Sequence, residues 1–209
     1  GLPVQLARVV SFAAQAVMIR ELAGSGRGAV GGVGIAAILL MVGAQLTMGF
    51  AQAAGIQIGQ RMGASDGAGA RRAFRAAAIV VGQVAIAATL AMMVAAGPLV
   101  QIFTSDPAMA ADGARALRIM SAGLVAIGLG QLLIATCGAM KASKRAGVLG
   151  MAADAAAVVI ALTADLGGRL DTVAIAFALG PVLRCGLLAA LLPGVFLRPT
   201  AAIGAGHAR

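Results

Sequence analysis

Residues Gly55 to Ala78 read G-I-Q-I-G-Q-R-M-G-A-S-D-G-A-G-A-R-R-A-F-R-A-A-A, with Arg61, Arg71, Arg72 and Arg75 set between two long apolar runs. The pattern is the end of a lipid-buried helix, a basic loop over 61–75 in water, and entry into the next apolar helix. The side of the membrane that takes this loop sets the orientation of the chain, because loops rich in Lys and Arg stay cytoplasmic.

Composition supports the membrane reading. The 209 residues are 61% hydrophobic and 11% charged, with a mean hydropathy of +0.99. A water-soluble domain carries about 25% charged residues, so the excess apolar surface here must face lipid. The six Phe and the absence of Trp and Tyr leave no aromatic belt. Thirty glycines and abundant alanine suit helices packed through small side chains. The net charge of +9 does not point to nucleic acid, because the arginines gather at the ends of apolar runs with no aromatic interleaving. Cys137 and Cys185 lie inside apolar runs and read as small core residues. No signal peptide is read at the start.

Outward from the organising stretch, six runs are each long enough for about 20 residues of spanning helix. They cover about 4–22, 29–58, 73–96, 116–140, 147–166 and 172–192. Gly55, Gly59 and Gly63 form a small-residue stripe at the end of the second. Thr104-Ser105-Asp106-Pro107 reads as a helix start with a side-chain cap and proline at the first position. Residues 1–194 are thus a six-helix transmembrane lobe and 195–209 a flexible cytoplasmic tail. Alternating spans place nine Lys and Arg on the side of the 61–75 and 141–145 loops and the tail, against five on the other. Both termini are therefore expected in the cytoplasm, across the cell's inner membrane.

The polar residues within the runs are the candidate site. Gln15, Gln45, Gln52, Gln83 and Gln131 can act as interhelical glue or touch a substrate. Asp154 and Arg184 stand mid-run, where an ionisable group costs about 2.5–3.5 kcal/mol and so has a partner or a function. The two fall at matching depth on adjacent antiparallel helices, which predicts an ion pair. A structural pair and a part in ion or substrate coupling both remain open. Catalysis has no basis: Ser11 has no base to activate it, and the one histidine, His207, is in the tail. Asp66-Gly67-Ala68-Gly69-Ala70-Arg71 matches the D-G-x-x-A-R core of the CDP-alcohol phosphotransferases, without the further aspartates those membrane enzymes need for metal. No catalytic, metal or cofactor site is expected.

Four segments, in order, resemble the second half of the multidrug and toxic compound extrusion (MATE) transporters. Gly1-Leu2-Pro3 is similar to the entry into that family's seventh helix. Gly59-Gln60-Arg61-Met62-Gly63-Ala64 with Ala70-Arg71-Arg72-Ala73 is similar to its G-Q-x-x-G-A…A-R-R-A loop. Phe103-Thr104-Ser105-Asp106-Pro107 resembles its L-F-T-x-D-P segment, and Gly138-Ala139-Met140-Lys141-Ala142 its G-A-x-R-G. Ser143-Lys144-Arg145 departs from the family's G-D-T, and the carboxylates some members carry in the seventh and tenth helices have no counterpart here. The resemblance implies one lobe of a twelve-helix antiporter that exports cationic, drug-like compounds in exchange for H⁺ or Na⁺. The lipid bilayer and a missing first lobe, in cis or as a second lobe-like subunit, would be its partners. A lipid-linked precursor flippase of the same superfamily and a non-transporting assembly partner are the alternatives.

Overall fold

The computed structural model describes residues 9, 13, 16–18, 20, 22, 24, 27–140, 142–164 and 168–196. Among them are seven helices and no strand: α1 (Arg27–Gly63), α2 (Gly67–Val94), α3 (Ala96–Gln101), α4 (Pro107–Ser121), α5 (Leu124–Ala139), α6 (Ser143–Thr163) and α7 (Arg169–Phe196). Four of these, α1, α2, α6 and α7, are long and apolar enough to cross a membrane, and α4 with α5 makes a fifth, bent span. The chain is an all-α, multi-pass membrane protein. The first predicted span lies mostly outside the described residues, although Met18 and Leu22 are buried in the main core cluster.

The buried positions of α1 show how a helix with apolar residues all round finds its packing face. Val33, Ala36, Leu40, Gly43, Thr47, Ala51, Ala54 and Ile58 are buried at three- and four-residue steps, one stripe of a 3.6-residue helix. Ile38, Val42, Leu46 and Ile56, between 57% and 64% exposed, make the opposite, lipid-facing side. Of the predicted glycine stripe, Gly55 and Gly59 pack on Ala135 and Ala139 of α5. A Cβ there would come within 2.8 and 3.3 Å of those methyls, while Gly63 faces open space.

The organising stretch needs a correction. The predicted 61–75 loop is a helical hairpin with a turn of only three residues. At 37 residues α1 is about 55 Å long, well beyond the roughly 30 Å of hydrocarbon, so it carries Arg61 past the lipid as helix. It ends in two reversed backbone bonds, Ser65 N–H to Met62 O at 3.1 Å and Asp66 N–H to Arg61 O at 2.9 Å. Ser65 takes the left-handed conformation (φ 59°) that this helix end requires. Asp66 then caps α2, accepting from Gly69 N–H at 2.7 Å and pairing with Arg61 at 3.3 Å. The apparent phosphotransferase motif is therefore a helix cap. Arg71, Arg72 and Arg75 stand on the first turns of α2.

The predicted fourth span, 116–140, is also not one helix. It starts earlier, at Pro107, with Asp106 accepting from Ala108 N–H at 2.9 Å and Met109 N–H at 3.4 Å. It then breaks at Ala122 and Gly123 with a 47° bend. Thr89 of α2 donates to the Ser121 carbonyl at 3.2 Å, satisfying an acceptor at the break. Gly123 lets α5 start against the backbone of α7, where a Cβ would lie 2.9 Å from Ala178 Cα. At the far end α7 runs through Phe196, past the predicted end of the sixth run at about residue 192.

Candidate functional site

Helices α6 and α7 approach closely because small residues line their contact. Gly150, Asp154, Ala157 and Ala161 recur along one face of α6. Ala153, Ala157 and Ala161 are buried, and a Cβ on Gly180 of α7 would touch the Ala157 methyl at 3.1 Å. Asp154 stands about 16 Å along α6 from Ser143, and Arg184 about 18 Å along α7 from Phe196, at 1.5 Å per residue. The antiparallel arrangement puts them at one depth. Arg184 Nη2 donates to both carboxylate oxygens of Asp154. Their side chains are only 24% and 13% exposed.

The pair forms part of the wall of a cavity of about 200 Å³ between α1, α5, α6 and α7. Gln131 of α5 adds an amide that can donate and accept, and Met18, Met41 and Phe177 supply apolar walls. Pro181, also in the wall, has no N–H and so frees the Phe177 carbonyl from the helical ladder. The site is an apolar pocket with a few convergent polar groups and a neutralised ion pair. A cation entering it would compete with Arg184 for Asp154, and an anion with Asp154 for Arg184.

Of the predicted site residues, the structure brings Gln131, Asp154 and Arg184 together. Gln45 and Gln52 of α1 and Gln83 of α2 are on exposed helix faces outside the cavity, and Gln15 lies outside the described residues. Met41, Phe177 and Pro181 were not foreseen. The Gly180-Pro181 step inside an apolar run was the available signal, since it interrupts a span where backbone is tolerated only if it is buried or lines a cavity. Among the described residues no three His, Cys, Asp or Glu gather as metal ligands, and Cys137 and Cys185 are free thiols.

A sequence model described as MatE matches residues 3–163. A solved structure described as a crystal structure of MATE in the bent conformation superposes with a TM-score of 0.76 at 17% identity, over 91% of this chain and 43% of that one. A second belongs to a MOP superfamily transporter from Pyrococcus furiosus, reported under the words "reverse polarity of binding pocket suggests different function". It gives a TM-score of 0.75 at 19% identity, again over 91% and 43%. Such identities establish a shared fold. The chain spans less than half the length of either. No curated protein matches the sequence.

Proposed function

The chain belongs to the MatE family, and on that premise we propose that it supplies one six-helix lobe of a secondary active exporter. That exporter moves organic cations outward in exchange for H⁺ or Na⁺. The observation that carries this reading is the mid-depth cavity in which Asp154, Arg184 and Gln131 converge. Transporter sites form near the bilayer midplane between two repeats, and rocking of one against the other exposes them alternately. At about 200 Å³ the cavity is below the roughly 300–1,000 Å³ of sites that enclose a drug-sized ligand. An opposing lobe, in cis or as a second lobe-like subunit, would complete it. Family members are transporters rather than enzymes.

Exchange then rests on Asp154. Arg184 holds it when the site is empty, and substrate cation or coupling ion competes for the same carboxylate. The greater basic count on the 61–75 side favours cytoplasmic termini and the inner cell membrane.

A second reading, a flippase for lipid-linked pyrophosphates, draws on Arg184 in the cavity and on the reversed pocket polarity named for the Pyrococcus protein. It ranks second because Asp154 neutralises that arginine.

The test is efflux of a cationic dye from vesicles holding this chain with the first lobe of a MatE-family transporter supplied. Efflux driven by an imposed H⁺ or Na⁺ gradient supports the proposal. Failure of both gradients, with both lobes folded and inserted, favours the non-transporting assembly partner.

A further inference from the structure

Five exposed cations crowd one end of the bundle with almost nothing to neutralise them. Arg71, Arg72 and Arg75 stand on the first turns of α2, and Lys144 and Arg145 on the first turn of α6. Among the described residues Asp66 is the one carboxylate at this end, and Arg61 and the Gly69 N–H already hold it.

The two groups flank one buried apolar cluster. Phe74 of α2 and Leu149 of α6 both pack on the cluster of Leu133, Cys137, Ala146 and Leu188. Each group also has its apolar floor on its own helix. Arg75 is one turn from Ile79, which is 62% exposed, and Lys144 one turn from Val148, 60% exposed. Residues four apart share a helix face, so cationic head and lipid-facing side chain align along the membrane normal. That is the profile of an anionic amphiphile: negative charge at the water boundary, hydrocarbon directly beneath.

We propose that this end of the bundle binds an anionic diacyl phospholipid, its phosphate held by Arg71 and Arg75 on α2 and by Lys144 and Arg145 on α6. Basic clusters at the membrane boundary attract such lipids cumulatively, charge by charge. The inference is independent of the transport proposal and of which side of the membrane this end occupies.

The test uses the purified chain in neutral detergent, its unfolding followed with a thiol-reactive dye that reports exposure of buried Cys137. Dioleoylphosphatidylglycerol should raise the Tm by about 2–4 °C more than dioleoylphosphatidylcholine, and about 0.5 M NaCl should shrink the difference. R71Q/R75Q and K144Q/R145Q should each lose most of the preference, while R71K/R75K and, in the last turn of α4, R118Q should keep it. Equal shifts in the two lipids, or full preference in both neutralised variants, would overturn the site. Inorganic phosphate reproducing the shift would overturn the lipid assignment in favour of a free anion. Should the variants fail to fold, native mass spectrometry of the unaltered chain in an equimolar mixture decides. Retention of the anionic lipid by about tenfold supports the site, and equal retention overturns it.

Discussion

Arg184 of α7 reaches both carboxylate oxygens of Asp154 of α6 through one nitrogen, tying two antiparallel helices at a common depth. In hydrocarbon either charge alone would be stranded, so the pair behaves as a unit. Asp154→Asn and Arg184→Gln should each lower stability by about 1–3 kcal/mol, and the double change by less than their sum. Thermal unfolding of all four proteins in one detergent measures the coupling. A cycle that closes with none would make the contact incidental and leave Asp154 free as a coupling carboxylate.

The bend between α4 and α5 depends on the backbone passing Ala178. Gly123→Leu should destabilise the bundle by about 1–3 kcal/mol through overpacking. Gly82→Ala, in open space on α2, should be neutral or stabilise by up to about 1 kcal/mol through helix propensity. If the two substitutions behaved alike in thermal unfolding, the close crossing would be wrong.

The α1–α2 hairpin carries a pH dependence. The Gly69 N–H, and after it Arg61, hold the Asp66 carboxyl below its ordinary range. Its folded pKa is depressed, so its contribution is complete above the unfolded value and fades as pH falls through the lowered one. Hydrogen exchange at the Gly69 amide should therefore be more protected in the unaltered chain than in Asp66→Asn at pH 7, with the gap closing in strong acid. A gap that persisted there would assign the protection to something other than the carboxylate.

Ser65 is a separate test of the same turn. A non-glycine residue in the left-handed region costs about 1–2 kcal/mol. Ser65→Gly should recover part of that, raising the Tm by a few degrees. A lower Tm would mean that the turn is not the one described.

These residues also mark what the sequence could reveal. The apolar runs, the Asp106-Pro107 helix start and the Asp154–Arg184 pair were legible because each rests on local chemistry: hydropathy, an N-cap, matched depth. The hairpin was misjudged as loop because charge was read as helix-ending, although Gln60, Arg61 and Met62 are good helix formers and α1 simply outruns the lipid. The break at Ala122 and Gly123 was hidden because its run is apolar on both sides, and contacts with Thr89 and Ala178 on other helices fix it. Gln45, Gln52 and Gln83 looked equivalent to Gln131, since composition does not say which helix face meets the cavity.

The proposed orientation rests on the basic asymmetry. In a variant lacking Cys137 and Cys185, Ala68→Cys, on the first turn of α2, marks the α1–α2 hairpin and Ser105→Cys the opposite end. An impermeant thiol reagent applied to intact cells should label the second and spare the first. The reverse pattern would invert the topology.

The central claim is exchange through a cavity that this chain half-encloses, and ion counterflow measures it most directly. With both lobes in sealed vesicles, an outward gradient of organic cation should drive H⁺ or Na⁺ inward. Asp154→Asn should reduce that flux, and this chain alone should show none. Undiminished counterflow from the single chain, or none from the folded two-lobe assembly with either ion, would contradict the account.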